Sequence, residues 1–215
     1  MLKEDLLLDS ARPFSDELMN TMDGHPELAL PGDPQLCMWF ALRATYSREM
    51  KVKEKLDSIG IRTFVPMMWR RREVDGKSEK KLVPAVGNLC FAYSDRRTID
   101  GFIRGYGENS PVHYYWDRMT GAPLVVPEKA MEDFIKVAGT MDEDLIYLTE
   151  ISQKLRDGQR VRVISGPFAG VEGKVVRIRK SRRILVEIPG MLAVASTYLP
   201  LEKAGYLELL QEKRK

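Results

Sequence analysis

The 215-residue sequence contains only two cysteines and two histidines, which limits the chemistry that it can support. Cys37 and Cys90 both lie in apolar surroundings, so we expect reduced, packed thiols and no disulfide framework. No cysteine and histidine cluster has the spacing of a zinc site, and no nucleophile has an evident histidine partner. The sequence therefore predicts no metal, no cofactor and no catalytic residue, and we interpret the protein as a non-enzyme.

Long hydrophobic runs are also missing. The longest, such as Leu6-Leu7-Leu8, fall far short of the roughly 20 apolar residues that a membrane span needs. The N-terminus has no basic region followed by an apolar stretch and a cleavage site, so we expect a cytoplasmic protein without a membrane partner. Hydrophobic residues at 44% and charged residues at 30% are typical of a folded globular chain, and the length favours two small domains.

The net charge is only +3, but the basic residues are concentrated in two places. One lies between Arg70 and Lys81, and the other, which contains no acidic residue, lies between Lys174 and Arg183. Local excesses of this kind attract the phosphates of nucleic acids, although an ordinary solvated surface has the same composition. The sequence leaves both interpretations open.

The first two thirds of the chain mix helical and strand patterns. Met38 to Ala44 predicts a buried strand, and the amphipathic spacing from Ser47 to Ile59 predicts a helix. Asp75-Gly76, between two strand-like runs, is a strong signal for a two-residue hairpin turn. Further strands are predicted at 61–65 and 88–93, and further helices at 96–104 and 128–137. This order predicts an α+β sandwich in which helices pack against a mostly antiparallel sheet.

Beyond residue 156 the hydrophobic period changes to two. Short strands are predicted at 160–164, 173–178, 183–188 and 191–196, with no helix between them. So small an all-β unit has to curl into a barrel to protect its edges, and its many β-branched residues favour strands over helices. The tail permits a short amphipathic helix built on Leu207, Leu209 and Leu210.

These patterns divide the chain into five predicted segments. They are an N-terminal extension at 1–36, an α+β domain at 37–137, a linker at 138–156, a barrel at 157–203 and a tail at 204–215.

The start of the predicted barrel resembles the KOW motif of NusG-like factors and some ribosomal proteins. Gly166 and Pro167 form a tight turn, Phe168 fills the interior, and Gly170 and Gly173 stand where a Cβ atom would clash. The spacing of these residues is fairly specific.

The preceding domain is similar to the N-terminal domain of NusG, called NGN. Trp39 to Ala44, then Phe64-Val65-Pro66, then the basic hairpin, then Leu89-Cys90-Phe91 occur in the same order and spacing. The resemblance covers about residues 37–203. Several segments, among them residues 43–49 and 83–89, are closest to the UpxY class of NusG paralogues. Those proteins are antiterminators of capsular polysaccharide operons in Bacteroides-like bacteria.

The resemblance implies a transcription elongation and antitermination factor that binds the clamp of RNA polymerase and suppresses pausing and termination. The residues that correspond to polymerase-binding positions are Arg43, Tyr46, Val83, Pro84, Val86 and Asn88. Val83 and Val86 are equally consistent with a purely structural role in the core. The segment 83–86 also departs from the aromatic segment of housekeeping NusG proteins.

The resemblance also implies contacts with nucleic acid and with a further protein. The basic hairpin, with Trp69, Arg70, Arg71, Arg72 and Lys77, is expected near DNA, although such arginines also protect an edge strand from aggregation. The KOW domain is expected to bind a ribosomal protein, a termination factor or nascent RNA. The alternative is a KOW-containing RNA-binding or ribosome-associated protein that does not bind polymerase.

Overall fold

The computed structural model describes residues 37–74, 77–150, 158–196 and 206–210. The predicted extension 1–36 and the predicted Asp75-Gly76 turn lie outside the described residues. The same is true of residues 151–157 of the predicted linker and of most of the predicted tail.

A five-stranded antiparallel sheet with helices on both faces forms the first part of the fold. Its elements and the hairpin that accompanies it are, in chain order, β1 (Met38–Ala44), α1 (Glu49–Ser58), β2 (Arg62–Phe64), β3 (Met67–Val74), β4 (Lys77–Pro84), β5 (Leu89–Ser94), α2 (Arg96–Arg104), β6 (Val112–Tyr114), β7 (Val125–Val126) and α3 (Glu128–Ala138). The sheet has the order β2-β5-β1-β6, with β7 also paired to β1. β3 and β4 form a separate two-stranded hairpin. The predicted α+β architecture is confirmed.

The central strand β1 is buried on both faces. Trp39 and Ala41 pack in the cluster that contains α3, whereas Phe40 and Leu42 pack in the cluster that contains α1 and α2. All four side chains are at most 1% exposed. Because both faces are covered, the strand is an unbroken apolar run instead of an alternating one.

The predicted helices agree closely with the structure except at the start of α1. That helix begins at Glu49 and not at Ser47, because Tyr46 and Ser47 have left-handed φ angles of 58° and 52°. α2 begins where predicted because the Asp95 carboxylate accepts a hydrogen bond from the backbone N–H of Thr98 at 3.0 Å, which caps the helix.

The remaining described residues form a six-stranded antiparallel sheet, which we call the C-terminal sheet. Its strands are β8 (Ile146–Leu148), β9 (Gln159–Val163), β10 (Glu172–Ile178), β11 (Ser181–Ile188), β12 (Leu192–Ala195) and β13 (Leu207–Leu209). Their spatial order is β13-β9-β10-β11-β12-β8. The described residues of this part contain no helix, so the predicted all-β character is confirmed.

The two outer strands of this sheet differ from the prediction. The amphipathic helix built on Leu207, Leu209 and Leu210 is wrong, because residues 207–209 form β13 and pair with β9. β8 lies within the predicted linker and pairs with β12. Both strands pair with backbone groups that the edges of a four-stranded sheet would leave without hydrogen bonds. This stabilisation comes from pairing with distant strands, so the local sequence does not reveal it.

Helix α3 contacts both sheets. One continuous apolar cluster joins Trp39 and Phe91 of the first sheet, Met131 and Phe134 of α3, and Ile188 of the C-terminal sheet. The Phe134 ring also lies edge-on to Tyr147 of β8, with centroids 6.5 Å apart. The helix is therefore buried on two sides, and both sheets depend on it for part of their core.

Lysine side chains of α3 bind the loop between β9 and β10, which we call the β9–β10 loop. The Lys129 ammonium donates to the carbonyl of Gly170 at 3.0 Å, and the Lys136 ammonium donates to the carbonyl of Ala169 at 2.6 Å. The acceptors are backbone groups, so these contacts depend on the path of the loop and not on its side chains.

Asp133 completes this contact from a buried position. Its carboxylate, on a residue that is 5% exposed, accepts the backbone N–H of Glu172 at 3.2 Å and pairs with Lys129 at 2.5 Å. A buried carboxylate is stable only when its oxygens have such partners.

Two different physical reasons require glycine at positions in the β9–β10 loop and in β10. Gly166 and Gly170 have φ angles of 82° and 86°, which glycine adopts without strain. A Cβ atom on Gly173 would lie 2.6 Å from the carbonyl oxygen of Leu185. The predicted Cβ clash therefore applies to Gly173. The space beside Gly170 is open, and its left-handed φ angle is what favours glycine there.

We expect Asp133→Ala to lower the free energy of unfolding by about 1 to 3 kcal/mol, because a buried backbone N–H and an ammonium lose their acceptor. Denaturant unfolding measures this change. Glu132→Ala is the matched control, since Glu132 is an exposed acid on the same helix, and it should change stability by less than about 0.5 kcal/mol. Equal effects of the two substitutions would contradict the role of Asp133.

We expect Gly173→Ala to destabilise the fold by about 1 to 3 kcal/mol, because the added methyl group overlaps the backbone of β11. Gly87→Ala is the control, since a Cβ atom there meets nothing within 4 Å and φ is not left-handed. The same unfolding measurement compares them, and an undisturbed Gly173 variant would show that β10 and β11 are not packed as described.

Candidate functional site

A turn of unusual backbone geometry joins β1 to α1, and we call residues 45–48 the Tyr46 turn. Tyr46 and Ser47 have left-handed φ angles of 58° and 52°. Asn88, directly before the neighbouring strand β5, has a φ angle of 61°. The Asn88 side-chain oxygen accepts the N–H of Ser47, and its carbonyl accepts the N–H of Ala44, both at 3.0 Å. Three strained residues that stabilise one another are the kind of feature that is concentrated at functional sites.

The Tyr46 turn presents its aromatic ring to solvent. Tyr46 is 83% exposed, and the Arg48 guanidinium lies 5.5 Å from the ring centroid. Arg43, at the end of β1, is also exposed. The structure thus brings together the predicted residues Arg43, Tyr46 and Asn88.

Glu49 is the first residue of α1 and directly follows the Tyr46 turn. The site predicted from the sequence did not include it. It is 4% exposed, and its Oε2 atom has no hydrogen-bond partner among the described residues. Burial raises the pKa of Tyr115, the charge of Glu49 raises it further and that of Arg43 lowers it, so both charges lie near this phenol. An unpaired buried oxygen is uncommon in native proteins and marks this position for attention.

The predicted residues Val83, Pro84 and Val86 lie at the base of the β3–β4 hairpin, in the segment that leads to Asn88. All three are half-buried. Val86 packs against the cluster that contains α3, so part of its side chain belongs to the core and part of it is exposed. The two interpretations of these valines, as core and as contact surface, are compatible.

The β3–β4 hairpin, which we call the first basic hairpin, is a two-stranded ribbon that is not paired with the five-stranded sheet. All five predicted residues are exposed: Trp69, Arg70, Arg71, Arg72 and Lys77. The register places Arg70 opposite Lys81 and Arg71 opposite Lys80. Arg72 lies opposite Glu79, and Lys80 has Glu143 as an ion-pair partner. Like charges directly opposite each other destabilise a hairpin, so the pair of Arg70 and Lys81 is not one that stability alone favours.

Two contacts, one midway along the hairpin and one at its base, connect the first basic hairpin to β8 and to the segment before it. Lys80 pairs with Glu143 at 2.5 Å, and this hydrogen bond, helped by the charge of Arg71, lowers the pKa of Glu143. The Tyr147 hydroxyl donates to the carbonyl of Met67 at 3.1 Å, and burial raises the pKa of this phenol to about 12.

The predicted KOW residues Gly166, Pro167, Phe168 and Gly170 lie in the β9–β10 loop, and Gly173 lies in β10. Phe168 is 4% exposed and belongs to the cluster that includes α3. The structure therefore places Phe168 and Gly170 against α3, leaves Gly166 and Pro167 exposed, and packs Gly173 against β11.

Not every residue of the second basic run is available to a partner. Lys174 pairs with Glu187 at 3.1 Å. Arg183 is buried, and its guanidinium donates to the carbonyls of Asp144 and Ser196, each at 2.7 Å. Both side chains have structural roles.

Metal and membrane sites were not expected from the sequence. Within the part of the chain that the structure describes, no group of three or more His, Cys, Asp and Glu residues is placed to hold a metal ion. Among the same residues, no helix combines the length and apolarity of a membrane span. Burial raises the pKa of the Cys90 thiol to about 12, which keeps it protonated and unreactive.

Comparison with known proteins gives matches in both parts of the chain. Residues 38–135 match the family model described as transcription termination factor nusG, and residues 158–187 match the KOW motif. A solved structure described as "Domain interaction in Thermotoga maritima NusG" is 19% identical, with 83% of this chain and 100% of that chain covered and a TM-score of 0.43. No curated protein sequence matches the chain.

The two family matches follow each other in the order that the NusG family has, and together they cover more than half of the sequence. The first coincides with the five-stranded sheet and its helices, and the second with strands β9 to β11. The chain therefore combines a region that matches the NusG family with a region that matches the KOW motif, in the order expected for an NGN domain followed by a KOW domain.

Proposed function

We propose that this protein is a cytoplasmic transcription elongation and antitermination factor that binds the clamp of RNA polymerase. The observation that carries the proposal is the Tyr46 turn. It presents an almost fully exposed aromatic ring on a strained backbone that Asn88 holds in place. Exposed tyrosines on rigid supports are frequent anchors of protein interfaces, and the match of residues 38–135 to the NusG family supports polymerase as the partner.

The proposed contact has an aromatic and an apolar part. Tyr46 and Arg43 supply the exposed group at the end of β1, and Asn88 fixes its geometry. The half-exposed side chains of Val83, Pro84 and Val86 supply the apolar part. A surface of this kind binds by shape and burial and requires no chemical step.

The proposed effect on transcription is a shift of populations. A factor that binds the closed clamp more tightly than the open clamp raises the free energy of paused states relative to elongating ones. A difference in binding free energy of only a few kcal/mol suffices to change the ratio of such states by orders of magnitude. Such a factor suppresses pausing and termination without catalysing a reaction.

The first basic hairpin is proposed to contact the DNA near the polymerase. Its exposed arginines are suited to phosphates, and the exposed indole of Trp69 is suited to stacking on an unpaired base. The like-charge pairs across the hairpin become favourable once a polyanion lies between them, which supports this role over simple protection of an edge.

The KOW domain is proposed to bind a second protein, such as a ribosomal protein or a termination factor. In this structure α3 holds the carbonyls of Ala169 and Gly170, so a partner that binds these groups has to displace the helix, whereas residues 164–167 of the same loop are exposed. The resemblance to UpxY-type paralogues supports an operon-specific role, in capsular or exopolysaccharide genes.

We expect Tyr46→Ala to weaken binding to core RNA polymerase roughly tenfold or more, because interface tyrosines commonly contribute about 2 kcal/mol. Co-purification and titration with core polymerase measure the change. Trp116→Ala is the matched control, since Trp116 is a 56% exposed aromatic residue outside the proposed contact, and it should bind normally. Undiminished binding of the Tyr46 variant would favour the alternative of an RNA-binding or ribosome-associated protein.

We expect the variant R70Q/R71Q/R72Q to bind polymerase but to lose much of its antitermination activity, because its DNA contact is weakened. Transcription in vitro through a terminator measures the fraction of read-through. The control is K51Q/R104Q/R118Q, which removes the same charge from exposed positions elsewhere. Equal read-through by both variants would show that the first basic hairpin does not act through its charge.

A further inference from the structure

A cleft of about 330 Å³ lies between the five-stranded sheet and helix α3, and we call it the Trp39 cleft. Its lining includes Trp39, Arg62 and Phe64 from strands β1 and β2, and Glu132, Ile135 and Lys136 from α3. Pockets that hold small molecules have volumes of roughly 300 to 1,000 Å³, so the cleft is large enough for a small ligand. It shares no residue with the Tyr46 turn or with the first basic hairpin.

Arg62 belongs to a row of three side chains that crosses the sheet. The register places Trp39 opposite Tyr93, and Tyr93 opposite Arg62. The Arg62 guanidinium lies 4.5 Å from the ring centroid of Tyr93 and 4.8 Å from that of Trp39. Such cation–π contacts restrict the position of a guanidinium without occupying the donors at its edge. The aromatic rings therefore orient Arg62 in place of an acidic partner.

The hydrogen-bonding edge of Arg62 is available to a ligand. Within the described residues the guanidinium has no ion-pair partner, and its side chain is exposed. Arg162, by contrast, is paired with Glu172 and Glu208. The planar fork of a guanidinium matches a carboxylate, to which it donates two parallel hydrogen bonds. An oriented and unpaired arginine at the edge of a cleft is therefore suited to bind a carboxylate.

The indole of Trp39 is a second donor in the lining of the cleft. Its side chain is 1% exposed, and its Nε1 atom has no hydrogen-bond partner among the described residues. A buried N–H without an acceptor is costly, and such groups are uncommon in native proteins. A carboxylate in the cleft that Trp39 lines would supply the missing acceptor. This unpartnered donor supports the same class of ligand as Arg62, from an independent observation.

The helix side of the cleft adds a negative charge. Glu132 is exposed and has no ion-pair partner in the described part of the chain. The ammonium of Lys136 already donates to the carbonyl of Ala169 at 2.6 Å. A phosphate, with up to two negative charges, is disfavoured beside a carboxylate, because like charges repel. A ligand that carries an ammonium group as well as a carboxylate satisfies both Glu132 and Arg62.

The cleft also has apolar walls. Phe64 and Ile135 are partly buried, and both pack against the cluster that contains α3. The Phe64 ring lies edge-on to Phe134, with centroids 6.1 Å apart, so its orientation is restricted. Apolar walls with a few convergent polar groups are typical of sites for small molecules. The apolar part of a ligand that reaches these walls gains affinity by burial.

We propose that the Trp39 cleft binds a small α-amino acid with an apolar side chain. Arg62 and the indole N–H of Trp39 bind the carboxylate. Glu132 binds the ammonium group, and Phe64 and Ile135 contact the side chain. The site is independent of the proposed function, because none of these residues belongs to the proposed contacts with polymerase or DNA.

Heteronuclear NMR of the isotope-labelled full chain tests the site through the indole N–H resonances of Trp39, Trp69 and Trp116. Trp69→Phe and Trp116→Phe assign these resonances. Leucine, methionine and phenylalanine are the probes, and at least one of them should shift the Trp39 resonance to saturation and leave the other two in place. A new hydrogen bond from Nε1 changes the environment of that proton directly.

Two analogues of leucine separate the charged contacts. Isocaproate lacks the ammonium group, and isoamylamine lacks the carboxylate. Each should bind roughly tenfold more weakly than leucine or worse, because one hydrogen-bonded charge is lost. The amine should also leave the Trp39 resonance unshifted, since it offers Nε1 no acceptor.

Variants at exposed positions leave the fold intact and assign the roles of the side chains. Arg62→Lys keeps the charge but loses the planar fork, and it should weaken binding of the amino acid roughly tenfold in calorimetric titration. Arg118→Lys is the matched control, since Arg118 is an exposed arginine outside the cleft, and it should bind normally. Glu132→Gln should weaken binding of leucine but not of isocaproate, a difference that a purely structural role would not produce.

Three results would overturn the proposal. One is a Trp39 resonance that responds to none of the three amino acids at millimolar concentrations. Another is equal binding of leucine and isoamylamine, which would show that the carboxylate is not recognised. The third is an affinity for the amino acid that Arg62→Lys changes no more than Arg118→Lys does, which would place binding outside the cleft.

Discussion

The packing of α3 between two sheets is the interaction on which the rest of the structure depends. Met131 and Phe134 share one apolar cluster with the first sheet and with the C-terminal sheet. On the side of the KOW domain, Lys129, Lys136 and the buried Asp133 bind the backbone of residues 169–172. In this conformation the two domains are therefore connected by a shared core and by directional hydrogen bonds, and not only by the chain that joins them.

This packing separates covered surfaces from accessible ones. It buries the side chain of Phe168 and holds the carbonyls of Ala169 and Gly170, whereas Gly166 and Pro167 of the same KOW motif are exposed. It leaves exposed the Tyr46 turn, the arginines Arg70, Arg71 and Arg72 of the first basic hairpin, and the cations Arg177, Arg179, Lys180 and Arg182 around the turn between β10 and β11. All three exposed features depart from what stability alone favours, through left-handed residues other than glycine or through like charges in register. The proposed contacts with polymerase and nucleic acid lie at the first two of these departures.

Local sequence patterns were sufficient to predict most helices and strands of the first domain. The unbroken apolar run at Trp39 and the capping residue Asp95 are local features, and the strand and helix that they mark are found. The strand β13 could not be predicted, because the spacing of Leu207 and Leu209 also fits a helix and only pairing with β9 decides between them. The contacts of Lys129 and Lys136 use backbone carbonyls, which leave no trace in the sequence. The Tyr46 turn is likewise held by Asn88, which accepts hydrogen bonds from the N–H groups of Ala44 and Ser47 although it lies 41 positions after Ser47.

The central claim is that the Tyr46 turn faces RNA polymerase. Site-specific incorporation of a photo-cross-linking amino acid at position 46, followed by irradiation of the complex with core polymerase, tests it most directly. The account predicts cross-links from position 46 to the clamp and none from position 116, where an exposed tryptophan lies outside the proposed contact. Cross-links from position 116 alone, in a complex that has formed, would contradict it.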